Sequence, residues 1–180
     1  MKFIIAIIAT AFICIPAFAQ DSSIYLQLKY SPLATINDGD DELDELQPGY
    51  QQYDINYDHT FGAKLMYNPV YIAVQRNIAD LDNSSREVSL DTFSMGLAGF
   101  NYERLAGLYL MGGVGIGAGQ FTFEEYESDW ETLLEASAEI GWRFQQRFLL
   151  GVGVDYQRFG EFGDHKANYW NLYLGTGIVF

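Results

Sequence analysis

The last twelve residues, Tyr169 to Phe180, restrict the possible folds more than any other stretch. Read with period two, one face carries Trp170, Leu172, Leu174, Thr176, Ile178 and Phe180. The other carries Tyr169, Asn171, Tyr173, Gly175, Gly177 and Val179. Alternation sustained this long describes a β-strand between two different environments. Bulky apolar side chains collect on one face, and glycines with an amide collect on the other. A helix would scatter both sets around its circumference, so the chain must bury or solvate the two sides of a sheet separately.

The same alternation recurs upstream. Ile24, Leu26, Leu28 and Tyr30 alternate with Tyr25, Gln27 and Lys29, and a non-periodic stretch from Ser31 to about Gln52 follows as a loop. A second strand is expected over Tyr53–Tyr67, then a tight turn at Asn68-Pro69 and a third strand over Val70–Ile78. A polar loop from Ala79 to Glu87 precedes a fourth strand over Val88–Tyr102. Its apolar residues change parity between Leu90 and Phe93, which predicts a bulge near Asp91-Thr92. After a short turn at Glu103–Ala106, a fifth strand sets Leu108, Leu110, Val114, Ile116 and Ala118 against four glycines. A polar segment around Glu124–Asp129 leads to a sixth strand, Thr132–Phe144. Gln145-Gln146 turns the chain into a seventh, which begins at Phe148, and Gly160–Asn168 leads to the eighth. The connections alternate long and short, and no segment of helical period and length is present after the N-terminal leader.

That leader, Met1 to Ala19, has a basic start, an apolar stretch and Ala17-Phe18-Ala19 at its end. It reads as a secretory signal peptide, residues 1–19, cleaved between Ala19 and Gln20. Residues 20–180 are then one domain, and the only cysteine, Cys14, leaves with the signal. Losing Lys2 moves the formal net charge from -14 to -15, which argues against a nucleic-acid partner. No apolar run in the remainder approaches the roughly 20 residues of a membrane helix, so any membrane crossing must use strands.

The signal, the glycine-interrupted strands, the long-short loop rhythm and the terminal Phe180 together resemble the small eight-stranded outer-membrane barrels of the OmpX and OmpA-barrel type. The resemblance is architectural and rests on no single diagnostic motif. It implies an all-β, eight-stranded antiparallel up-and-down transmembrane β-barrel in the outer membrane, with extracellular loops and periplasmic termini. Its implied partners are outer-membrane lipid, lipopolysaccharide and the barrel assembly machinery. The peptidoglycan-binding role of two-domain relatives is not expected to carry over.

In such a barrel the outward parity faces lipid, and aromatic residues at strand ends form interfacial girdles: Tyr53, Tyr67, Tyr102, Trp142, Phe148, Tyr156, Trp170 and Phe180. The inward parity carries Lys29, Lys64, Glu135, Glu139, Arg143 and Asp155, together with Asp54 and Asp58. Buried charges must be paired or hydrated, so an interior ion network with trapped water is expected. Residue counts from the tight turns place Glu139 level with Lys64, with Arg143 below as a second donor. Inward glycines make room for Tyr25, Tyr109, Tyr173, Met66 and Met111.

Little in the sequence points to catalysis. His59 falls on the outward parity, His165 lies in a loop, and neither Ser84 nor Ser85 occupies a nucleophile motif. No enzyme activity and no cofactor is expected, lipid modification being the minor alternative. The acidic run from Asp38 to Glu45 offers oxygen ligands, but it lacks the EF-hand order and reads as a solvated loop. A structural or surface-interaction barrel is the leading reading, and a narrow channel or carrier for small solutes is the alternative.

Overall fold

The computed structural model describes residues 24–38, 56–57, 59–80, 87–102, 106–123, 126–160 and 167–180. Eight long strands account for most of them. They are β1 (Ile24–Asp38), β2 (His59–Tyr67), β3 (Val70–Asp80), β4 (Glu87–Tyr102), β5 (Leu108–Phe123), β6 (Glu131–Phe144), β7 (Phe148–Phe159) and β8 (Ala167–Val179). Each pairs antiparallel with the next, and β8 returns to pair with β1, so the sheet closes. The two-residue strands Asn56–Tyr57 and Tyr126–Glu127 lengthen the pairing beside β1 and β5. Closure leaves no long edge exposed, and it lets every strand present one parity inward and the other outward.

The closing seam runs from Tyr25 opposite Val179 to Asp38 opposite Ala167. Phe180 extends it, its amide donating to the Ile24 carbonyl at 2.9 Å. The expected loop after Tyr30 is corrected here, because β1 continues to Asp38. Its register slips between Tyr30 opposite Leu174 and Leu33 opposite Leu172. Pro32 has no amide hydrogen, so the ladder cannot run straight through it, and a bulge absorbs the extra residue. The Ser31 hydroxyl donates to the Leu172 carbonyl at 2.6 Å and ties the bulge to β8.

The bulge expected at Asp91-Thr92 is absent. Asp91 faces Arg76 and Gln120, Thr92 faces Gln75 and Gly119, and no residue is skipped. The parity change arises because Leu90 points inward, where it is 2% exposed. Expected strand two, Tyr53–Tyr67, is present as β2 and the short strand Asn56–Tyr57, which pairs with β1 in the same register, while Tyr53–Ile55 and Asp58 lie outside the described residues.

Three connections at one end of the barrel are short. In the last of them, Gln145 and Gln146 have φ of 49° and 61°. The Arg147 amide donates to the Phe144 carbonyl at 3.0 Å. Two consecutive left-handed residues suit the twist of a tight hairpin. The four longer connections, which include the acidic run, join strands at the opposite end.

Candidate functional site: a filled lumen inside an apolar wall

The outer wall is set by the outward parity. Leu26, Leu65, Ile72, Leu97, Leu150 and Leu172, drawn from six strands, are all exposed although each is apolar. The wall is apolar through its middle and aromatic toward its ends. Tyr67, Trp142, Phe148 and Phe180 ring the tight-turn end. Trp170 and Tyr156 lie toward the loop end, with ring centroids 4.6 Å apart, and the Tyr156 hydroxyl donates to Asn168 Oδ1 at 2.8 Å. The side chains of Tyr53 and Tyr102 lie outside the described residues, as do Asp54, Asp58, His165, Ser84, Ser85, the acidic run beyond Asp38 and the cleavage site at Ala19 and Gln20.

Inside, the side chains form layers. At the tight-turn end Tyr25, Met66, Ala98, Phe100, Tyr109, Met111, Leu149 and Val179 pack into one apolar cluster. Phe100 bridges Tyr25 and Tyr109, at centroid distances of 4.6 and 5.3 Å. Toward the loop end a neutral polar layer is centred on Asn77, whose Oδ1 accepts from Thr60, Gln75 and Tyr169 at 2.9, 2.9 and 2.6 Å. Beside it lie the buried apolar side chains Leu90, Leu133 and Phe159.

Between these layers lies a belt of charge. Lys29 Nζ meets both carboxylate oxygens of Asp155, at 2.9 and 2.8 Å, and sits 4.3 Å over the ring of Tyr173. Lys64 Nζ lies 3.9 Å from Glu135 Oε1, donates to Ser137 Oγ at 3.1 Å and caps the Tyr71 ring at 4.3 Å. Glu135 also accepts from Ser94 Oγ at 2.6 Å and from the Tyr71 hydroxyl at 3.3 Å. All five ionisable groups, Lys29, Lys64, Glu135, Glu139 and Asp155, are buried. Burial makes such pairs interdependent, because each compensates a charge removed from bulk solvent.

The expected pairing of Lys64 with Glu139 is corrected. Glu139 accepts from Gln27 Nε2 at 2.6 Å and from the Tyr109 hydroxyl, while Lys64 turns to Glu135. Counting residues from the turns neglects the stagger that a tilted, closed sheet imposes between opposite walls. That stagger brings Lys64 level with a carboxylate four residues nearer the loop end, Glu135. Arg143 has the inward parity, and its Nε donates to the Gln146 carbonyl at 2.8 Å, which ties it to the tight turn.

Sequence reasoning missed Tyr71, Gln27, Ser94, Ser137 and Asn77 as members of the polar interior. Their parity was available, but neutral side chains carry no charge pattern to distinguish them. Several glycines mark the seats of the inward tyrosines. A Cβ on Gly151 or Gly153 would overlap Tyr109 or Tyr173, and one on Gly115 would overlap Tyr71. Of the two histidines only His59 is described, and it lies outward with Nδ1 3.2 Å from the Tyr30 hydroxyl.

This architecture has solved counterparts. The neisserial surface protein NspA superposes with a TM-score of 0.64 at 12% identity, over 89% of this chain and all of that one. The fold is that of the small outer-membrane β-barrels. OprG of Pseudomonas aeruginosa also aligns, with a TM-score of 0.49 at 11% identity, covering 89% of this chain and 97% of its own. Ail of Yersinia pestis, solved with the heparin analogue sucrose octasulfate, gives 0.47 at 14% identity over 89% of this chain and all of Ail. No protein-family model matches the sequence, and no curated relative matches it. At these identities the likeness extends to the fold and no further.

Proposed function

We propose that this chain is an integral outer-membrane barrel with a closed lumen, acting as a structural and surface-interaction protein through its acidic loops rather than as an enzyme. The observation that carries the reading is the inversion of the usual soluble pattern. Apolar side chains form the exposed wall, and charged side chains are sealed within. Exposed apolar residues on every strand have no core to bury against, and hydrocarbon is the medium that satisfies them. From Phe148 to Tyr156 the aromatic limits of β7 are eight residues apart. That is about 27 Å along the strand, or roughly 20 Å upright after tilt, close to the roughly 25 Å band of lipid-facing barrels.

In this reading Tyr67, Trp142, Phe148 and Phe180 anchor the periplasmic interface, and Tyr156 with Trp170 anchors the outer one. The loops then face the exterior, and their acids repel anions unless divalent cations bridge them to lipopolysaccharide phosphates. The orientation is tested with single cysteines in whole cells, since the only native one is Cys14 in the leader. Asp129→Cys, exposed beside a loop, should react with a membrane-impermeant maleimide, whereas Gln145→Cys should react only after the outer membrane is permeabilised. The opposite pattern would reverse the orientation, and recovery of both variants with soluble protein would end the membrane reading.

A further inference from the structure

The apolar wall is not uniform. On β4 to β7 it is indented by a groove of about 410 Å³, lined outward by Met95, Leu97, Val114, Ile116, Leu134 and Ala136. Tyr156 and Arg158 complete its lining. The small side chain of Ala136 forms the floor where its neighbours on both sides are larger. Register makes the groove oblique. Leu97 faces Val114, Val114 faces Ala136, Ala136 faces Tyr156, and Leu134 faces Arg158. Arg158 lies at the loop end of β7, one residue before its last, whereas Leu97 lies within β4 toward the tight turns. The depression therefore descends from a cation at the loop-end rim into the apolar band.

Arg158 is exposed. The three ion pairs among the described residues use Lys29, Lys64 and Arg76, so none engages it. In a chain with a formal net charge of -14, a guanidinium at the mouth of an apolar groove is a specific electrostatic feature. Arginine offers a planar fork of donors that matches a phosphate, and an apolar cleft of a few hundred Å³ suits a hydrocarbon chain.

We propose that this groove is a seat for one lipid A molecule, with an acyl chain along Met95, Val114 and Ala136 and a phosphate on Arg158. The choice of lipid A over phospholipid rests on the reading above, in which the loop end faces the leaflet built from that glycolipid. The chemistry of a phosphate above a hydrocarbon chain follows from the groove itself. Wall and rim act together: the groove selects a chain where the barrel surface elsewhere only solvates one, and Arg158 fixes its depth.

The test uses the full barrel, folded in detergent and checked by heat-shift electrophoresis, with native mass spectrometry reading retained lipid. Purified hexa-acylated lipid A, its dephosphorylated form and phosphatidylglycerol are the probes. Wild type should retain one lipid A at concentrations where phosphatidylglycerol leaves no adduct. Arg158→Gln should weaken retention at least tenfold, and dephosphorylated lipid A should bind wild type as weakly as intact lipid A binds that variant. Ala136→Trp should remove the adduct by filling the floor, with Ala138→Trp as a control for bulk on the same strand. Equal retention by wild type, Arg158→Gln and Ala136→Trp would overturn the site. Equal retention of phosphatidylglycerol would overturn the choice of lipid A. Neither outcome depends on cellular location, so a failure here is separate from a failure in the cysteine-labelling experiment.

Discussion

Asp155→Asn should unfold at a clearly lower urea concentration than the wild type. The substitution keeps the shape of the side chain and removes its charge, leaving Lys29 buried without the carboxylate that meets it at 2.8 Å. Breaking a buried pair from one side typically costs about 3–5 kcal/mol, because the remaining charge is uncompensated. The Tyr173 ring beneath Lys29 retains part of the stabilisation, so about 3 kcal/mol is expected. The double change Lys29→Met with Asp155→Val should be much milder than the single one, since it removes both charges and leaves an apolar filling. Urea titrations of the refolded barrel, followed by tryptophan fluorescence, measure all three proteins. A double variant less stable than the single one would show that the pair does not act as a unit.

Gly153→Val should be comparably damaging for a steric reason. A Cβ there would come within 2.5 Å of the Tyr173 hydroxyl oxygen and 2.8 Å of the Ala138 carbonyl oxygen. The tyrosine can swing away only by leaving its position under Lys29, and the carbonyl belongs to the neighbouring strand and cannot yield. Overpacking of this kind costs about 1–3 kcal/mol, and the upper end is expected here because backbone is involved. Adding Tyr173→Leu to the variant should recover part of the loss by removing the ring clash while leaving the one with Ala138. Full recovery would mean that the backbone contact is harmless. No recovery would mean that the tyrosine is not what the glycine accommodates. Val152→Ile, next along the strand but outward, should be close to neutral.

The two variants also mark where the sequence was readable. Parity in the first half of β1 and in β5 to β8 is legible because a closed barrel divides side chains between lumen and wall over long runs. The positions of Lys29, Glu135, Glu139 and Asp155 inside, and of Leu150, Leu172 and Leu174 outside, follow from that division alone. Partnership across the lumen was not legible. It depends on the stagger between opposite walls, and a residue count from each turn carries no information about stagger. Such a count pairs Glu139 with Lys64, whereas Gln27 and Tyr109 hold it.

Two further differences have local causes. Ser31-Pro32 has the composition of a loop, yet it bulges within a strand whose pairing resumes at Leu33. Leu90 carries the parity of the lumen, and an apolar residue there gave the false sign of a register change. Both lie where the barrel departs from strict alternation, one to accommodate a proline and one to place an apolar side chain inside near the loop end. The groove at Ala136 and Arg158 was invisible for a related reason. It is a difference in side-chain size among four neighbouring strands, and its outline exists only once their register is known.

A membrane-spanning wall around a lumen filled by side chains is tested most directly by ion conductance. The folded barrel, inserted into a planar lipid bilayer, should give no steady current steps under an applied voltage. Among the described residues, the apolar cluster around Phe100 and the hydrogen-bonded groups around Asn77 occupy the lumen at two levels, and closure to ions is the result expected of that filling. Reproducible, long-lived unit currents from the wild type would contradict this account and establish the lumen as a channel.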